Sequence, residues 1–408
     1  MTAAESPPAG PQLPRATGPQ YVSSARWAVS AAFFANGFVV GHWAPKIPVL
    51  AARLEIGESV LGALVIMFGI GALVALLAGA VLTTRFGSDR VVRWTSFLLV
   101  PGLLFVSLSS NIATTALSML WLGVFMGAMD GAMNANAVSV EKARGRAIMS
   151  SCHGFWSLGG LTGAPLGGLM LARFGDMGHS IGVLVMTGIL VATAQFFYFR
   201  DARMPALEDR PAEPGRSPKR LLALLPGGFG IYLLGLCALL AFVPEGSILD
   251  WSALYLAKVH NAPVAIAGYA FAAFSGTMAL MRFAGDGLRD RFGDGRTFFV
   301  SALVAAAGFA VAGLSATLDA VLAGFLVCGL GLANMVPIVF SAAGRFPGIE
   351  PAIGIGIVTA FGYSGALTAP AILGFIAEHT GLAAIFAGFS IVLLATAGLS
   401  LTLRTLRM

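Results

Sequence analysis

The sequence predicts an all-α membrane protein: twelve transmembrane helices in two pseudo-symmetric six-helix bundles, with both termini cytoplasmic. Three observations predict it. The 408-residue chain is 57% hydrophobic and only 11% charged, with a mean hydropathy of +0.84, whereas soluble domains carry about a quarter charged residues. Apolar runs of about twenty residues, the length that crosses a bilayer, recur along almost the whole chain. Short stretches of the first half also return in the second.

Residues 1–25, rich in Pro, Gly, Ser and Ala, lack the apolar core of a signal peptide and are expected to form a disordered cytoplasmic tail. Spans are expected at roughly 26–48, 58–84, 92–110, 113–140, 148–172, 179–200, 227–256, 263–287, 296–315, 318–343, 351–377 and 382–404. The polar, Pro-rich stretch 201–226 is the expected cytoplasmic linker between an N-terminal bundle (26–200) and a C-terminal bundle (227–408). Lys and Arg set the orientation. With the N-terminus inside, 21 basic residues fall in cytoplasmic segments, and only Lys46, Arg53, Arg173 and Lys258 fall outside. That asymmetry accounts for the net charge of +6 without invoking nucleic acid. Cys152, Cys237 and Cys328 stand singly in apolar runs and read as packing residues.

The internal repeat is visible in three places. "TTRFGSDRVVR" (83–93) matches "RDRFGDGRTFF" (289–299), and "GGLTGAPLGG" (159–168) matches "SGALTAPAILG" (364–374). "FFANGFVVGHW" (33–43) echoes "AFVPEGSILDW" (241–251), setting Asn36 opposite Glu245. Such repeats imply two bundles that rock about a site near the membrane midplane.

The basic turn "DRFG" between the eighth and ninth spans, with a weaker copy after the second, resembles the loop motif of the major facilitator superfamily. The resemblance covers residues 26–405. Within it, "MNANAVSVEKARGRAIMSSCHGFWSLGG" (133–160) and "EGSILDWSALYL" (245–256) are similar to the YbjJ/MosC-like branch. The resemblance implies a major facilitator fold and a central cavity lined by helices 1, 4, 7 and 10, flanked by 2, 5, 8 and 11. Thr84 stands where the superfamily usually has Asp, while Arg85 and Gly87 remain, which puts a full charge latch in the first half in doubt. "GGLTGAPLGG" resembles the antiporter-type motif of helix 5, though glycine-driven helix packing explains it equally well.

Polar residues on those helices are the candidate site, because ionisable groups in a bilayer are costly and usually face a cavity. Glu245 follows Pro244, which removes a backbone donor, and precedes Gly246, which lets a partner approach the backbone. Desolvation favours the neutral form of a carboxylic acid, so Glu245 is the expected proton-coupling or substrate-binding acid, against a merely structural Glu. Asp130 and Asn134, one turn apart, form a candidate donor–acceptor pair beside the glycine face Gly123, Gly127 and Gly131. Asn36, Asn334, Trp43, Trp251, Tyr363 and His153 complete the candidate substrate or proton set. Trp251 reads equally well as an interface aromatic, and His153 as a structural histidine. Asp250 lies about 140° round the helix from Glu245, so it is assigned to an outer gate, paired with Lys46 or Lys258. Arg85, Arg282, Asp286, Asp290 and Arg291 are the expected gating charges at the inner ends.

No metal ligand spacing, HExxH or GxSxG is present, so neither cofactor nor enzyme activity is expected. With no Lys or Arg placed deep in a span, a neutral polyol- or sugar-like solute or a cationic amine suits the cavity better than an anion. The MosC-like resemblance implies an inositol-amine type of compound. Expected partners are that small molecule, protons as the coupling ion and the lipid bilayer, with no nucleic acid. The expected protein is a monomeric secondary transporter of the inner membrane. The alternatives are a broad-specificity proton-coupled exporter and, more remotely, a non-transporting receptor or scaffold.

Overall fold

In a bilayer every backbone donor and acceptor must be satisfied within the chain, and long apolar segments achieve this as helices. A computed structural model describes residues 19–146, 148–200, 229–349 and 351–402. Among the described residues the regular structure is helical: α1 (Pro19–Leu54), α2 (Glu58–Phe86), α3 (Ser88–Leu99), α4 (Gly102–Leu108), α5 (Ile112–Arg144), α6 (Met149–Ala194), α7 (Phe229–Val259), α8 (Val264–Ala267), α9 (Tyr269–Phe292), α10 (Asp294–Leu314), α11 (Leu318–Leu332), α12 (Met335–Gly344), α13 (Pro351–Thr380) and α14 (Leu382–Ser400). Ten of the described helical stretches are long and apolar enough to cross a membrane, so this is a multi-pass membrane protein.

Several boundaries differ from expectation for local reasons. Residues 19–25, expected in the tail, already belong to α1. The linker at 201–226 lies outside the described residues. The third apolar run is split into α3 and α4 at Val100–Pro101, where the proline lacks a backbone donor. The fifth and sixth runs are joined directly: α6 continues across a sharp break at Gly175, whose φ of 66° and ψ of −176° suit only glycine. α5 starts where Asn111 accepts from the Thr114 backbone at 3.0 Å and the Thr114 hydroxyl answers, a reciprocal cap.

The repeat is present in the backbone itself. Gly87 (φ 89°, ψ 144°) and Gly293 (φ 79°, ψ 157°) turn the chain in the same way after α2 and α9. Packing follows the small residues. A Cβ on Gly37 would strike the Trp156 carbonyl and one on Gly159 the Phe34 carbonyl, so α1 lies backbone to backbone on α6. Gly71 and Gly123 dock α2 on α5 in the same reciprocal manner, which is the role expected of the Gly123/Gly127 face.

Helices α1–α6 pack mainly on one another, as do α7–α14, and the two sets meet through α2 against α13 and α6 against α9. Those meetings are closest at one end. Gly62 lies on the Pro370 carbonyl and Gly374 on the Glu58 carbonyl; Gly168 lies on the Ala265 carbonyl and Gly268 on the Ala164 carbonyl. Two reciprocal clasps, one on each side, thus seal the end that carries residues 57–62 and 370–378.

Candidate functional site

Between the two sets of helices lies a cavity of about 420 Å³, within the range of small-molecule sites. Its polar lining comes from both halves: Asn36, Asp130, His153 and Trp156 from the first, and Glu245, Asp250, Trp251, Arg282 and Tyr363 from the second. Phe68, Met126 and Phe242 supply apolar wall.

Each polar side chain is placed by its helix. Asn36, on α1, is buried, accepts from the Trp156 indole at 2.9 Å and donates to the Met126 carbonyl at 3.4 Å. It therefore ties α1 to α5 and α6 while lining the cavity. Asn134 donates to the Asp130 carbonyl at 2.8 Å and to its carboxylate at 3.3 Å, the pairing expected from their spacing. Asp130 reaches the cavity; Asn134 backs it and is not part of the lining. His153 stands edge-on to Phe33, with centroids 5.1 Å apart. Tyr363 stacks on Phe242 at 6.3 Å.

Glu245 accepts from Arg282 at 3.2 Å, and the two side chains are 23% and 21% exposed, so both are wetted by the cavity. This corrects two expectations. Arg282, expected among the charges at the inner ends, lines the cavity and binds Glu245, and the cavity therefore does contain a cation. α9 packs against α7 and carries Arg282 in its interior, a pairing that linear position along the chain does not convey. No Cβ contact awaits within 4 Å of Gly246, so α7 presents bare backbone beside Glu245.

Asp250 is corrected as well. It lines the same cavity as Glu245 despite the angle between them, because α7 projects into the cavity with residues on both flanks. It pairs with neither lysine. Lys46, fully buried, donates to Asp176, Ser107 and Ser180. Lys258 binds Glu58 across the two halves at 2.8 Å. Beside that pair, Glu378 accepts from the Ser59 backbone at 3.2 Å.

Two other candidates sit elsewhere, and a third lines the cavity from a packed position. Trp43 is 7% exposed and packs in the core away from the lining. Asn334, 3% exposed, lies against Gly285 rather than in the cavity. Trp251, 1% exposed, does line the cavity and is packed against Gly374. The charge latch after α9 is also differently composed. Asp294 joins Arg289 (2.7 Å) and Arg345, whereas Asp290 and Arg291 are exposed and Arg291 lies over Phe292. Arg85 is exposed beside Phe86. The side chain of Asp286 lies outside the described residues.

Sequence reasoning missed Asp176, Ser107 and Ser180 around Lys46, Arg53 on the same carboxylate at 2.9 Å, and the pair His42–His179 at 3.0 Å. The four basic residues outside the positive-inside pattern were the available signal, since two of them, Lys46 and Arg53, meet at Asp176.

The comparisons with known proteins agree with this architecture. The family model of the Major Facilitator Superfamily matches residues 29–348 and 234–407. An uncharacterised MFS-type transporter of Yersinia pestis is 33% identical over 366 residues, covering 90% of this chain and 92% of its own. The membrane protein MosC of Rhizobium meliloti is 32% identical over 358 residues, covering 87% and 84%. Among solved structures, a mutant of the nucleoside transporter NupG superposes with a TM-score of 0.71 at 14% identity, over 93% of this chain and 98% of its own. A bacterial homologue of the human lysosomal transporter Spinster gives 0.70 at 13%, over 96% and 98%. At such identities the structures speak for the fold, while the family model and the closer relatives speak for kinship. The chain belongs to the major facilitator superfamily, a family of membrane transporters and not of enzymes.

Proposed function

We propose that the protein is a proton-coupled secondary transporter that moves a small polar organic solute, either neutral and polyol- or sugar-like or a cationic amine, by alternating access. The observation that carries this reading is the Glu245–Arg282 pair in a cavity bounded by both halves of the chain. A proton on Glu245 removes the negative partner and frees Arg282, so protonation changes what the cavity offers a solute. Asn36, Asp130, Trp156 and Tyr363 supply the amide, acid and aromatic surfaces that hydroxyl- or amine-bearing solutes require.

In this reading α1 and the two arms of α6 complete twelve crossings, two bundles meet at the cavity, and both termini are cytoplasmic in the inner membrane of a bacterium. The sealed end is then the outer one, and the cavity serves the cytoplasmic side in this state. The apolar wall of Phe68, Met126 and Phe242 favours a second reading, export of amphiphilic organic molecules.

Purified protein in proteoliposomes under an imposed proton gradient tests the proposal. Solute accumulation with matching proton flux is expected, and Glu245→Gln should abolish accumulation while leaving solute binding. Normal accumulation by that variant would remove Glu245 from the coupling step, and absence of flux for every bound solute would overturn transport.

A further inference from the structure

The charges around the cavity do not balance. Its titratable lining consists of Asp130, His153, Glu245, Asp250, Arg282 and Tyr363. Arg282 is held by Glu245, and Asp130 receives Asn134. Asp250 has no hydrogen-bond donor and no cation among the described residues. The two lysines towards the sealed end are already committed, Lys46 to Asp176 and Lys258 to Glu58. Next to Asp250, the buried indole N–H of Trp251 also lacks a partner. Asp250 stands five residues beyond Glu245 on α7, about 7.5 Å further along the helix axis towards the sealed end.

Resting on the alternating-access reading, the cavity must pass through a state closed at both ends. Water then leaves the lining, and an ionised Asp250 would remain as a buried charge without a counter-charge, a state strongly disfavoured in a low-dielectric interior. Glu245 escapes this fate because Arg282 travels with it. Asp250 has no such companion and needs a positive charge delivered to it before closure. A proton supplies that charge directly on the carboxylate and asks for no further ligands from the Trp251 and Leu373 walls beside it.

We propose that Asp250 is a second proton-binding acid of the cavity, separate from Glu245, which is protonated before the cavity closes and releases its proton when the sealed end opens. The step is a simple exchange: the carboxylate takes one proton from water on one side and returns it to water on the other. Its role is thus to couple protons from the deep end of the cavity, not to pair with a gate lysine.

Infrared difference spectra of the full chain in lipid vesicles, recorded between acidic and alkaline buffer, report protonated carboxyls by their C=O stretching band. Asp250→Asn should delete one band that Glu245→Gln retains, and Asp250→Glu should restore a displaced one. Where Asp250→Asn does not fold, aspartate carrying heavy carbon in its side-chain carboxyl, introduced into Asp130→Asn protein, should still shift that band. An Asp250→Asn spectrum identical to that of the unsubstituted protein would overturn the proposal, as would a band unmoved by labelled aspartate. The same vesicles with sodium or ammonium in place of potassium test other cations: a band abolished by either at constant pH would replace the proton with that ion. Because the band is read without any solute, this result stands or falls separately from the transport assay.

Discussion

Two polar regions of this protein, each inside the helical body, behave in opposite ways. Around Lys46, on α1, the charged groups and the hydroxyls beside them are paired. The ammonium spends its protons on Asp176, Ser107 and Ser180, while Arg53 adds the Val106 and Ser107 carbonyls and shares Asp176. All these partners come from α1, α4 and α6, within the first half of the chain. Around Glu245 and Asp250, on α7, contacts are few: one bond to Arg282 and none to Asp250 among the described residues. A saturated network holds one geometry and resists change, whereas a sparse one leaves donors and acceptors for solute, proton or water. The first is a clamp on the ends of three helices. The second is where the work is expected.

The clamp is the place to break the comparison hardest. Lys46→Met would leave Asp176 facing Ser107 and Ser180 without its main counter-charge. Removing one partner of a buried ion pair typically costs about 3–5 kcal/mol, so a large fall in thermal unfolding temperature in detergent is expected. Adding Asp176→Asn should recover much of the loss, because the carboxylate is then no longer stranded and Arg53, 27% exposed, keeps the Val106 and Ser107 carbonyls. If Lys46→Met melts like the parent protein, the network is ornamental and the contrast with α7 collapses.

The two regions were unequally legible in the sequence. The helices could be read almost throughout, because apolar length and the basic loops are direct consequences of the bilayer. The glycine repeats on α5 and α6 marked faces suited to close helix packing, since only glycine admits a neighbouring carbonyl so closely, but not which helix each would meet. What could not be read is who meets whom among charged side chains. Arg282 sits near the end of an apolar run, and nothing in linear order says that it turns back to Glu245. Likewise Lys46 and Asp176 are 130 residues apart, and the Gly175 break that aims Asp176 at Lys46 looked like an ordinary loop. Asp250 was sent to the outer gate by helical angle alone, which ignores how far α7 projects into the cavity.

A smaller effect on stability sharpens the comparison from the other side. Glu245→Gln keeps the shape of the side chain and the hydrogen-bond acceptor to Arg282, and both groups are wetted by the cavity. The expected loss of stability is about 1 kcal/mol, the usual net worth of one hydrogen bond, read as a small shift in unfolding temperature. Set beside the abolished accumulation expected for the same variant, this separates a working pair from a holding pair. A fall as large as that of Lys46→Met would mean that α7 is also a clamp.

The smallest effect is expected at the seal, where Lys258 is 46% exposed and Glu58 15%. Exposed ion pairs contribute about 0–1 kcal/mol, so Lys258→Met should hardly change the unfolding temperature. Its position between the halves gives it a different weight. Glu58 starts α2 and Lys258 ends α7, so under the proposed alternating access the bond would exist only while that end is closed. Whatever it contributes therefore falls wholly on the balance between sealed and open states and cancels from neither. A contribution of about 1 kcal/mol corresponds to roughly a fivefold change in that ratio. Spin labels on α2 and α13 near the seal should report a larger open fraction in Lys258→Met by pulsed distance measurement. The glycine clasps would still close in this variant, so the sealed state should persist as a population and not vanish. An unchanged distance distribution would show that the backbone clasps alone set the seal.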